Sequence, residues 1–169
     1  MKILFMQTGG SIDKDYPTGE DNDGYSFVIT SPAFERILGH VKPSFDYEAQ
    51  TVLQKDSLDI NDEEREKILQ ACRDSLIDKI VITHGTDTML KTAQLLSQVN
   101  DKTIVLTGAM TPELFKQTDA DFNLGTAIGG VSVLKPGIYI AMNGLVLPWA
   151  KVTFDKETKR FIEKPEHQQ

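Results

Sequence analysis

Apolar residues fall along this chain in short unbroken runs, separated by longer stretches in which they recur every three or four positions. The first run, Lys2 to Gln7 (KILFMQ), closes on Thr8-Gly9-Gly10. A brief continuous apolar segment ending in glycines predicts a buried strand entering a tight loop. Lys79 to Thr83 (KIVIT), Thr103 to Thr107 (TIVLT) and Gly137 to Met142 (GIYIAM) predict three more, and Phe45 to Gln54 is strand-like. Ser31-Pro32 reads as an N-cap and first helical position, opening a helix to about Gly39. Asn61 or Asp62 caps the next helix, which runs to about Ser75; Ile60, Ile68, Leu69, Cys72 and Leu76 form its apolar side, and Glu63 with Lys67 is a favourable i,i+4 pair. A helix after His84-Gly85 places Met89, Ala93 and Leu96 on one face, and residues 121 to 134 form another, in which Gly125, Gly129 and Gly130 permit close packing on a sheet. Residues 13 to 24 make a long polar loop of the kind that often serves as a functional lid. Leu145 to Phe161 is strand or irregular, and residues 165–169 are expected to fray.

Continuous apolar strands alternating with helices imply an α/β fold, a parallel-rich sheet with helices on both faces. At 169 residues the chain fits one domain, expected over 1–164 with no second domain. In such folds the ligand site lies beyond the carboxyl ends of the strands. The loops leaving the three best strands read TGGSID, THGTDT and TGAMTP, each with hydroxyls and glycines. Together they can form one pocket.

A net charge of −7, with a pI of about 4.9, weakly repels nucleic acid and anionic membranes, so neither is an expected partner. Cys72 is the single cysteine; it permits no internal disulfide and reads as a small buried hydrophobe. No apolar run approaches membrane-spanning length. The N-terminus, one Lys before a short apolar run, is too short for a signal peptide. A cytoplasmic protein is expected. His40, His84 and His167 show no metal-ligand spacing, so neither a metal nor another cofactor is implied.

Two segments carry candidate chemistry. After Gly9-Gly10, which let a ligand approach the main chain, Ser11 sits at the lip of the sheet. The plain alternative is a turn whose hydroxyl bonds the backbone. His84-Gly85-Thr86-Asp87-Thr88 runs from a strand into a helix whose first turn holds two hydroxyls and a carboxylate. Thr86 is a candidate nucleophile or proton relay and Asp87 a holder of a substrate amine; as plain structure they are an N-cap and its neighbour. His84 braces the loop and is given no catalytic role.

In this order the segments resemble the L-asparaginase family, whose signatures read TGG[TS]I and HGTDT[ML]. Lys55-Asp56-Ser57-Leu58-Asp59 resembles the family's substrate-gripping loop with an S-x-D core; Gly108-Ala109-Met110 followed by Pro112 resembles G-A-M-x-P; and Asp121-Phe122-Asn123-Leu124 resembles a shortened D-G-x-x-N-L. The resemblance spans roughly residues 1 to 155. It implies the fold of the asparaginase N-terminal domain, with flavodoxin- or Rossmann-like layers. It also implies hydrolysis of the L-asparagine side-chain amide, or of a related small amide, through a Ser11 acyl-enzyme. Thr86 and Asp87 would belong to a Thr-Lys-Asp relay. Gly10, Asp56, Ser57, Thr86, Asp87 and the Ala109 carbonyl would bind substrate. A lid tyrosine would be Tyr25, with Tyr16 its rival. A homodimer or higher homo-oligomer is implied, without cofactor.

The chain departs from that pattern twice. Where the family has its relay Lys, this sequence reads Val152-Thr153-Phe154, with Lys151 and Lys156 the candidate replacements; loss of a base costs about a hundredfold or more in rate. The family's second domain is also not in the sequence. Two readings follow: an amidohydrolase, or a catalytically weak or inactive module that binds aspartate- or asparagine-like ligands. A nucleotide or flavin binder is poorly supported, since no phosphate fingerprint is present.

Overall fold

The computed structural model describes residues 1–16 and 26–165. In chain order these form β1 (Lys2–Gly9), β2 (Lys14–Asp15), β3 (Val28–Ile29), α1 (Ala33–Val41), β4 (Asp46–Lys55), α2 (Asp62–Asp74), β5 (Lys79–Thr83), α3 (Met89–Leu96), β6 (Thr103–Thr107), α4 (Ala120–Val133), β7 (Gly137–Met142), β8 (Leu145–Pro148), β9 (Val152–Asp155) and β10 (Arg160–Glu163). Six strands make the main sheet in the order β4-β1-β5-β6-β7-β8. All are parallel except β8, which returns antiparallel on β7.

The two-residue period of the strands sorts the core into two layers. Leu4, Met6, Ile80, Ile82, Ile104, Leu106 and Ile140 face α2 and α3, meeting Ile68, Leu69, Cys72, Met89, Ala93 and Leu96. Ile3, Phe5, Val81, Val105 and Ala141 face α1 and α4, meeting Phe34, Ile37, Leu38, Leu124, Ala127 and Val131. Helices thus cover both faces, which is why the central strands are apolar on both sides. Burying each large aliphatic or aromatic side chain contributes about 1.5–3 kcal/mol. Among the described residues no helix is long and apolar enough to cross a membrane.

Several local expectations change. The helix expected from Ser31 starts at Ala33, with Pro32 in the cap position and no side-chain cap of its own. The Asp13 carboxylate, 20 residues earlier, accepts from the Ala33 N–H at 2.7 Å instead. Nor does Gly39 end that helix. Lys42 takes the left-handed conformation at φ 49°, because Pro43 cannot follow a helical residue. On α2 the capping box joins Asn61 and Glu64. Glu64 also pairs with Lys55 across to β4 at 2.7 Å, and no Glu63–Lys67 pair is present among the described residues. Leu76 lies beyond the helix and is fully exposed. In α4, Gly125 and Gly129 face open space; only Gly130 packs closely, its missing Cβ position 3.0 Å from Val146.

Candidate active site

The parallel sheet changes winding direction at β1, with β4 on one side and β5 on the other. At such a switch point the loops leaving the carboxyl ends diverge and open a crevice. The loops here are held against one another by glycines. Gly10, at φ 93°, donates its N–H to the Lys55 carbonyl at 3.0 Å. A Cβ on Gly10 would lie 2.4 Å from Gly85 Cα, and one on Gly85 would lie 2.6 Å from Ser57 Oγ. A Cβ on Gly108 would meet the His84 carbonyl at 2.4 Å. The ends of β1, β4, β5 and β6 are therefore in direct contact. Gly10, Ser11, Asp56, Ser57, Thr86, Asp87 and Ala109 all stand on this one edge.

Ser11 opens a single 3₁₀ turn, Ser11–Asp13, and is half-buried. Lys14, the next residue, donates to Asp56 at 2.7 Å and so ties the Ser11 turn to the turn after β4. The hydrogen bond from the Lys14 ammonium is the main cause holding the Asp56 carboxyl below its ordinary value. The other Asp56 oxygen accepts from the Leu58 N–H at 3.2 Å, closing the Ser57–Asp59 turn. Ser57 is fully buried against Gly85, and its hydroxyl has no partner among the described residues.

Thr86 and Asp87 occupy a turn ahead of α3, not its first helical turn as expected; the helix begins at Met89. Thr86 is half-buried and Asp87 exposed. Just before them His84 is fully buried. Its Nδ1 lies 2.8 Å from the Gly85 carbonyl and its Nε2 2.8 Å from the Thr92 hydroxyl. A carbonyl only accepts, so Nδ1 carries the proton and Nε2 accepts from Thr92. Burial pushes the His84 pKa down to about 4. The imidazole is thus a neutral brace, as the sequence implied.

The loop after β6 is fixed by residues given no role from the sequence. Asp119 accepts from the N–H groups of Met110 and Thr111 at 3.0 Å. Asn123 donates to the Gly108 carbonyl at 3.0 Å and to Asp119 at 2.9 Å, and accepts from the Asn143 N–H at 3.0 Å. The carboxylate that works with Asn123 is therefore Asp119, four residues before it. Asp121 is exposed. The D-G-x-x-N-L spacing is present at full length as Asp119-Ala120-Asp121-Phe122-Asn123-Leu124, with Ala120 in place of the glycine, and counting back from Asn123 would have found it.

The two candidate lysines are not brought to the site in the same way. Because β8 runs antiparallel, pairing Met142 with Leu145 and Tyr139 with Pro148, Lys151 follows at the opposite end of the sheet from Ser11. There its carbonyl accepts from the Lys164 N–H at 2.7 Å. Lys156 lies in the exposed turn between β9 and β10. Among the described residues no lysine amine hydrogen bonds to Thr86 or Asp87. Phe154 packs on Phe161 with ring centres 5.2 Å apart, at the rim of the core. Tyr25 lies outside the described residues. Tyr16 is half-exposed and packs at a tilt against Phe27 with ring centres 4.8 Å apart, and Phe27 meets Phe115 at 5.7 Å. No cluster of three or more metal-ligating side chains occurs among the described residues.

The family model described as "Asparaginase, N-terminal" matches residues 2–160. An L-asparaginase of Thermococcus kodakarensis is 31% identical over 159 residues, covering 90% of this chain and 47% of its own length. L-asparaginase 2 of Escherichia coli is 30% identical over 163 residues, covering 89% and 45%. A solved structure, the thermostable L-asparaginase from Thermococcus kodakarensis, superposes with a TM-score of 0.81 at 29% identity, covering 96% of this chain and 51% of that one. This chain spans about half the length of the curated relatives it matches. A sheet that brings the TGGSI, KDSLD, HGTDT and GAM segments to one edge, and a match over nearly all of the residues, make the chain a member of the asparaginase family, corresponding to its N-terminal domain.

Proposed function

We propose that this chain hydrolyses the side-chain amide of L-asparagine, or of a related small amide, to the free carboxylate and ammonia. The observation that carries the reading is the glycine-mediated contact between the loops of Ser11, Ser57 and Thr86, at the one edge of the sheet where an α/β fold binds ligands. In this mechanism Ser11 Oγ attacks the amide carbon and its proton leaves toward the Thr86–Asp87 turn. The tetrahedral intermediate collapses to an ester on Ser11 as the C–N bond breaks, and the proton returned from that turn to the nitrogen lets it depart as ammonia. Water then cleaves the ester, releasing aspartate and restoring the serine. The Ser57 hydroxyl, buried and unpartnered among the described residues, takes an α-carboxylate once the side chain turns toward the ligand, and the exposed Asp87 carboxylate takes an α-amine. The backbone at Ala109, fixed through Asn123 and Asp119, faces the amide end. The reading includes a homodimer or larger homo-oligomer, checked by light scattering.

A second reading keeps the grip without turnover: a module that binds aspartate-like ligands. The ring of Phe154, packed on Phe161 at the position where the resemblance calls for an amine, favours it. Ammonia release from L-asparagine by wild type beside Ser11→Ala decides between the two. Release by wild type alone supports the hydrolase. No release, with L-aspartate still raising the melting temperature, supports the binding module. Neither turnover nor binding of aspartate, asparagine or glutamine overturns both.

A further inference from the structure

Arg65, in the second turn of α2, is a cation with only 4% of its surface exposed. Among the described residues it has no buried carboxylate partner, which such a charge ordinarily requires. Nη1 donates to the Ile60 carbonyl at 2.5 Å and lies 3.5 Å from Asp62, whose side chain is 83% exposed and is also taken by Lys91 at 2.7 Å. Nη2 donates to Thr88 Oγ1 at 3.0 Å. Nε has no partner among the described residues. The Thr88 hydroxyl, having accepted from Arg65, donates its own hydrogen bond to the Ser57 carbonyl at 2.8 Å.

These bonds close a ring through three segments remote in sequence. Arg65 holds the end of the Ser57–Asp59 turn directly at Ile60 and its beginning through Thr88. Thr88 in turn ends the turn that carries Thr86 and Asp87. The guanidinium therefore sets the spacing between Ser57 and Asp87, one hydroxyl and one carboxylate. It also buries a full positive charge behind the Ser57 turn, where field lines are weakly screened. Neutral donors would tie the same carbonyls at much smaller desolvation cost. A charge at this place has a use if the occupant of the Ser57 end is an anion.

We propose that Arg65, acting through Thr88, is a positioning residue that fixes the Ser57 and Asp87 turns for a ligand bearing an α-carboxylate beside an α-amine. The inference rests on the amino-acid amide reading of the site and assigns the recognition of the ligand's amino-acid end to a residue that need not touch it.

The test measures L-aspartate affinity by calorimetry, and KM and kcat for L-asparagine, in wild type, Arg65→Met, Thr88→Val and Thr88→Ser. Arg65→Met and Thr88→Val are expected to weaken aspartate binding and raise KM by about tenfold to a hundredfold, as for loss of a hydrogen bond to a charged group. Their kcat at saturation should stay within about threefold of wild type, the signature of lost ground-state binding. Thr88→Ser keeps the hydroxyl and should recover most of the affinity. Thr88→Val tests the same bridge with the guanidinium left in place, should Arg65→Met fold poorly. Unchanged KM and aspartate affinity in folded Thr88→Val, or a loss of kcat without a rise in KM, overturns the inference. Wild type that neither binds aspartate nor releases ammonia fails before any variant is made; that outcome overturns the reading of the site and this inference with it.

Discussion

Replacing Asp13 by Asn is expected to stabilise the protein at neutral pH and to leave it unchanged in acid. Asp13 is completely buried. One carboxylate oxygen accepts from the Ala33 N–H at 2.7 Å, while the other has no partner among the described residues. Burial is the largest influence and pushes its pKa up from 3.8 to about 6; the bond from Ala33, Gln7 and the nearby Arg36 guanidinium pull against it, and Glu113 adds to it. The folded state thus holds this proton more firmly than the unfolded state. Below pH 3.8 the carboxyl is protonated in both states and carries no ionisation cost. Between pH 3.8 and about 6 only the unfolded state ionises, so stability falls as pH rises. Above about 6 the loss is complete and amounts to about 3 kcal/mol. Asn keeps an oxygen for the Ala33 N–H and cannot ionise. Urea unfolding of both proteins at half-unit steps from pH 4 to 8 should give a stability difference growing to about 3 kcal/mol in favour of Asn. His84 titrates in the same window in both proteins and cancels. A difference that does not vary with pH would refute the reasoning.

Other outcomes follow from the same contacts. Gly85→Ala forces a Cβ to 2.6 Å from Ser57 Oγ; a loss of about 1–3 kcal/mol is expected in urea unfolding, with L-aspartate no longer raising the melting temperature. Asn123→Ala strands the Gly108 carbonyl and the Asn143 N–H; it should cost about 2 kcal/mol or more, with faster amide exchange at Met110 and Thr111. His84, held down to about 4 by burial, contributes stability that is complete above its ordinary 6.5 and is lost as pH falls through about 4. Nitrogen NMR should show it neutral at pH 5.5, with the proton on Nδ1; a ring charged at that pH contradicts the buried geometry.

Much of this protein is written in local pattern. The alternation of Ile3 and Phe5 with Leu4 and Met6 specifies a strand buried on two faces, because neighbouring side chains in a strand point opposite ways. Met89, Ala93 and Leu96 likewise repeat at the helical period and all lie in one core layer. The order of TGGSI, KDSLD, HGTDT and GAM, with the rule that strands deliver their loops to one edge, predicts that these segments meet, and their glycines do bring them into contact. What the sequence left open were partners distant along the chain. Lys14 meets Asp56 across 42 residues, and Arg65 reaches Thr88 across 23. Asp13, not Ser31, caps α1. Lys151 looked adjacent to the site by count, yet a single antiparallel strand carried it to the far end of the sheet. Periodicity is a property of neighbours, so it survives in a string of letters. Hydrogen-bond partners, burial of a charge and the direction of an edge strand depend on how the sheet is wound, and only the tertiary structure decides them.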